Sequence, residues 1–166
     1  CDSDYRGAVI INKIVLNFFE SDQAINQSVD RFMREFPLQA APVWVDVPLI
    51  SNQEVYMNIA LIKKYHDNMP RQEAWRLAVD CLGKIGLEHI AYKRNPVLTS
   101  EERFGVMLLR AAMVRAAMIL IVKPFELIPH LNDIQMVTSM LKTIDELYVS
   151  CHIYDYQWMQ EKYGDL

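Results

Sequence analysis

A chain of 166 residues and 19.4 kDa that is 52% hydrophobic and 23% charged is too apolar and too weakly charged for intrinsic disorder. Its size suits one domain over residues 1–166, large enough to bury about two-thirds of its unfolded surface without a disulfide or metal. A formal charge of −4 speaks against electrostatic capture of nucleic acid, and five Gly and seven Pro leave little room for a turn-rich β sandwich.

In chain order, proline divides the sequence into helical pieces. The first runs from about Tyr5 to Glu20, with Asp2 and Asp4 at its start, although its Ile, Val and Phe content also permits a strand. The second spans about Asp22 to Phe36, where Ile25, Val29, Phe32 and Phe36 recur at helical spacing. Pro37, Pro42 and Pro48 bound an extended loop over about 37–50 that contains Val43-Trp44-Val45. Ser51 and Glu54 form a capping-box pattern that opens a third helix, which runs to about Asp67. A fourth follows Pro70 and runs to about Arg94, with Trp75, Val79, Leu82, Ile85 and Ile90 on or near one face.

Thr99 and Glu102 form a second capping box, opening a fifth helix over about Ser100–Lys123. From Val106 to Val122 that segment has two polar residues, Arg110 and Arg115. Two arginines near the middle of a membrane span would each cost about 2.5–3.5 kcal/mol, so a buried central helix is the expectation. A last helix spans about Asp133–Ser150 and is followed by an aromatic tail with Tyr154, Tyr156, Trp158 and Tyr163. The fold expected is an all-α up-and-down bundle of five to six helices.

Charge is uneven along the chain. Residues 1–68 carry a net −3, residues 69–130 a net +3 and residues 131–166 a net −4. The basic middle offers a candidate surface of Arg71, Arg76, Lys84, Lys93, Arg94, Arg103 and Arg110. Apolar composition beyond what helical stripes absorb makes Trp44, Trp75, Tyr154, Tyr156 and Trp158 candidate contacts with a membrane or partner, because Trp and Tyr favour interfaces.

Signatures of catalysis are missing. No Gly-rich phosphate loop, G-x-S-x-G elbow or Cys-x-x-Cys pair occurs. His66, His89, His130 and His152 are scattered, and no Glu-x-x-His pair repeats. The expectation is therefore no catalytic residue, no metal, no cofactor and no enzymatic activity. Cys1, Cys81 and Cys151 form an odd count, so no closed disulfide framework follows.

Arg94-Asn95-Pro96-Val97, then Arg103-Phe104-Gly105, Arg110 and Ile128-Pro129 repeat a spacing that resembles the abalone sperm lysin family over roughly residues 50–140. Ile50-Ser51 and Lys63-Lys64-Tyr65 add to that resemblance. It implies a secreted, non-enzymatic helical bundle stored in the sperm acrosomal vesicle. Its partner would be the egg membrane or an egg-coat glycoprotein, with homodimer formation possible. The apolar composition favours the branch that acts in membrane binding or fusion over the branch that dissolves the vitelline envelope. The rival readings are an unrelated helical interaction module and a lipoprotein anchored through Cys1.

Overall fold

The computed structural model describes residues 9–11 and 13–164, with side chains from residue 13 onward. Cys1, Asp2, Asp4 and Tyr5 lie outside the described residues. Among the described residues, five strands form one sheet: β1 (Val9–Ile11), β2 (Ile14–Phe19), β3 (Ala40–Val43), β4 (Met118–Val122) and β5 (Ser150–Tyr156). Their order is β1-β2-β5-β4-β3. β1 pairs antiparallel to β2, and the other four strands run parallel. The fold is thus α/β, which corrects the expected all-α bundle.

The correction has a physical source in three places. Residues 14–19 are Ile-Val-Leu-Asn-Phe-Phe, and β-branched and aromatic residues suit a pleated, half-buried surface. That segment is strand β2 and not part of the helix expected up to Glu20. The apolar run from Val106 to Val122 is not one helix. Helix α4 (Ser100–Ala112) ends, the backbone reverses with Ala116 at φ 50°, and β4 begins at Met118. A parallel strand covered on both faces reads as a continuous apolar run, which imitates a buried helix. Among the described residues no helix is long and apolar enough to cross a membrane.

The aromatic tail is the third case. Residues 150–156 form β5 at the middle of the sheet, paired with β2 and β4. Cys151 and Ile153 face one apolar cluster, while Tyr154 faces the other. The extended segment over 37–50 contains the edge strand β3, which tolerates Pro42 as an edge strand can.

Helices fill the connections. α1 (Asp22–Glu35) follows β2 and is capped by Ser21, whose hydroxyl accepts from the Ala24 N–H at 3.1 Å. It buries Ile25, Val29 and Phe32 against Leu120, Val122 and Tyr154 on one sheet face. α2 (Val55–His66), α3 (Arg71–Lys84), α4 and α6 (Gln135–Thr143) belong to the larger apolar cluster, on the face that carries Ile119, Ile121, Cys151 and Ile153. The short helix α5 (Pro124–Leu127) leaves directly from β4.

The capping box of Thr99 and Glu102 forms in both directions. That of Ser51 and Glu54 does not. The buried Asn58 amide accepts from the Ile50 N–H at 2.8 Å and donates to Ile50 O, so the loop is clamped from inside the helix. The first two donors of α2, the N–H groups of Val55 and Tyr56, go to the carbonyls of Lys93 and Ala91. With those groups satisfied, no side-chain cap is needed, and the helix begins at Val55.

Candidate functional site

Parallel α/β sheets bind ligands outside the carboxyl ends of their strands, because helix N-termini and loops converge there. Here β2 ends at Phe19, β5 at Tyr156 and β4 at Val122, with Phe19 opposite Tyr156 and Val122 opposite Tyr154. The residues that follow these strand ends make one cluster.

Lys123 is its centre. Its side chain is 10% exposed, and its Nζ lies 2.8 Å from Asp22 Oδ1 and 3.3 Å from Glu126 Oε2. Asp22 stands in the first turn of α1, where a carboxylate suits the helix dipole. The Tyr156 hydroxyl donates to the same Asp22 Oδ1 at 3.0 Å. Asn26 donates to Asp22 Oδ2 at 3.4 Å. Hydrogen bonds from Lys123 and then Tyr156 hold the Asp22 carboxyl below its usual range. Burial works against the Lys123 charge, but Asp22 and Glu126 outweigh it and hold the ammonium above its usual range. Burial and then the bond to Asp22 raise the Tyr156 phenol.

A second pair lies beneath. The buried Tyr163 hydroxyl donates to Asp155 Oδ2 at 2.7 Å, and the Tyr156 N–H donates to Oδ1 at 2.8 Å. Burial raises the Asp155 carboxyl despite those bonds, and burial followed by the Asp155 charge raises Tyr163. Phe18 and Phe125 meet the Tyr163 ring edge-on.

The candidate residues separate when placed on this frame. Tyr156 and Trp158 belong to the cluster and stack with ring centroids 4.2 Å apart and planes 11° apart. Trp158 is 65% exposed. Tyr154 is buried on β5 against α1. Trp44 follows β3 and is half-buried, its enclosed indole N–H without a partner among the described residues, and Trp75 is half-buried on α3.

The basic set is not one track. Arg71, Arg76, Lys93 and Arg94 are exposed, and Lys84 pairs with Glu146 at 2.5 Å. Arg103 and Arg110 fasten loops instead. Arg103 donates to Asn95 Oδ1 at 2.6 Å and Leu98 O at 3.0 Å. Arg110 donates to Pro48 O at 2.8 Å and to Val47 O.

Sequence reading missed Asp22, Lys123 and Glu126. Lys123-Pro124 after an apolar run was available as a signal, but a cation there also fits the end of a helix. Among the described residues no group of three or more His, Cys, Asp or Glu is placed to hold a metal ion.

No family model matches the sequence, and no curated protein matches it. Neither result supports or opposes the lysin resemblance. Solved structures do match. The dimeric structure of MJ0796, a bacterial ABC transporter cassette, aligns with a TM-score of 0.58 and 19% identity, covering 78% of this chain and 57% of that one. The chain thus spans a little over half of that cassette's length.

At this identity the likeness establishes the fold, and it overturns the reading as a secreted helical fertilisation protein of the lysin type. The expectation of no enzymatic activity is corrected with it: it rested on absent motifs and on a non-enzymatic helical bundle, whereas the fold is similar to that of an ABC transporter cassette. The group such a cassette implies, a magnesium-bound nucleoside triphosphate, does not fit the corner as built. A phosphate cradle needs glycines for close backbone approach, a Lys, and a Ser or Thr for the metal. The β2–α1 junction reads Phe19-Glu20-Ser21-Asp22, its serine hydroxyl already caps the helix, and Lys123 is taken by two carboxylates.

Proposed function

We propose that the chain is a cassette-fold subunit of an ABC-type transport assembly, and that it pairs with a second cassette, in the simplest case its own copy, across the carboxyl edge of its sheet. One observation carries this reading. Where the fold would place phosphates, Asp22, Lys123, Glu126 and Tyr156 satisfy one another, and Trp158 stands exposed beside them.

A corner closed by internal ion pairs has given its charges to holding a surface in shape. An exposed tryptophan next to a fixed polar frame is a typical anchor for a protein partner, since Trp is enriched among residues that dominate interface energy. The established fold supports the transport context, and the dimer of the similar cassette supports pairing.

Sedimentation velocity tests the reading. The 19.4 kDa chain is expected to approach twice its mass as concentration rises, and Trp158→Ala is expected to weaken that association at unchanged fold. A chain that stays monomeric throughout, and also fails to join a cassette subunit from the same cell, sinks the proposal.

A further inference from the structure

Beside the stacked Tyr156 and Trp158, a hollow of about 580 Å³ is lined by Gln157, Trp158, Gln160, Glu161 and Gly164. Most of its polar groups are acceptors or neutral. Among the described residues no hydrogen bond or ion pair engages the side chains of Gln157, Gln160 or Glu161. The cation of this segment is turned elsewhere: Lys162 Nζ donates to Leu131 O at 3.3 Å and lies 4.6 Å from the Phe125 ring centre. The other nearby cation, Lys123, is neutralised by Asp22 and Glu126.

What remains is an open indole, a carboxylate unpaired among the described residues and two side-chain amides whose oxygens can accept. The indole is also held in place, because Tyr156 covers one of its faces and Tyr156 is itself tied to Asp22. A fixed aromatic face carries a negative potential that attracts cations, and a planar guanidinium both stacks on it and forks onto a carboxylate.

We propose that this hollow receives an arginine side chain from a protein partner, the guanidinium stacking on Trp158 and pairing with Glu161. The local charge agrees, since Glu161 is the charged residue lining the hollow and the nearby Lys162 and Lys123 are engaged elsewhere. The proposal names the contact chemistry of the pairing surface and rests on that reading for its partner. The binding chemistry is testable without any partner.

The probe is a blocked arginine amide, titrated against the isotope-labelled chain while the indole N–H resonances of Trp44, Trp75 and Trp158 are followed. The Trp158 resonance is expected to move saturably and the other two to stay. Blocked citrulline, which has the same shape without the charge, is expected to bind several-fold more weakly. Glu161→Gln, an exposed change that keeps the fold, is expected to weaken arginine binding by about two- to five-fold. Equal binding of citrulline, an unchanged affinity in Glu161→Gln, or a stronger response of Trp158 to adenosine than to arginine would overturn the proposal. A chain that binds the probe yet never pairs with a cassette would leave this site standing and remove the assembly reading.

Discussion

Lys123 holds φ 49° and ψ 65°, a left-handed conformation that costs a non-glycine residue about 1–2 kcal/mol. Its backbone N–H is bonded to Tyr154 O at 2.8 Å, and Pro124 follows at once, so the surroundings impose the angle. The side chain then turns back over the sheet edge to reach Asp22 and Glu126. Two contributions therefore meet in one residue, and a pair of substitutions separates them. Lys123→Ala and Lys123→Gly both delete the ammonium, but only glycine adopts the angle freely. Lys123→Gly is expected to be more stable than Lys123→Ala by about 1 kcal/mol, the reverse of the ordinary order, in denaturant unfolding. Equal midpoints would show that the backbone carries no strain there.

At the scale of elements, legibility followed how local the signal was. α1 was read from Ile25, Val29 and Phe32, which recur at helical spacing because the helix lies on one sheet face. The start of α4 was read from Thr99 and Glu102, since a capping box is complete within four residues. Thr99→Ala is expected to cost about 1 kcal/mol, because the Glu102 N–H loses its hydroxyl acceptor while the backbone N–H of residue 99 can still reach the Glu102 carboxylate. Ser51→Ala is expected to cost far less, since Asn58 and the carbonyls of Lys93 and Ala91 serve the start of α2. Thermal melts of the two variants compare them directly, and equal losses would refute the assignment of caps.

Strands β4 and β5 were illegible for the opposite reason. Their pairing partners lie far away in sequence, and a strand buried on both faces shows no period of two. The candidate site suffered likewise. Tyr156 and Trp158 were visible as surplus aromatics, but Asp22 and Lys123 are 101 residues apart and meet only through the crossing of the sheet.

The whole molecule is a sheet between two unequal apolar layers. Helices α2, α3, α4 and α6 join the larger cluster, and α1 covers the other face. The thin layer has a titratable side chain inside it. His152 on β5 is 8% exposed, its ring lies 4.9 Å from that of Phe32, and its Nδ1 has no hydrogen-bond partner among the described residues. Burial therefore lowers its pKa from the usual value of about 6.5.

The sign of the consequence follows from proton counts. Between the native pKa and about 6.5, the unfolded chain binds a proton that the native chain refuses, so acid favours unfolding there. Stability from this site is complete above about pH 6.5 and falls as pH drops, until the native ring also protonates. Asp155 works in the other direction: its raised carboxyl disfavours the native state as pH rises. A single pH curve would mix the two, whereas a difference between proteins does not. Denaturant midpoints of the wild type and His152→Phe, taken between about pH 8 and about pH 5, isolate the histidine. The wild type is expected to lose stability relative to the variant as pH falls below about 6.5, because phenylalanine keeps an aromatic ring against Phe32 and cannot take up a proton. Parallel curves for the two proteins would mean that the α1 layer opens enough to hydrate an imidazolium, and would remove His152 as a source of acid sensitivity.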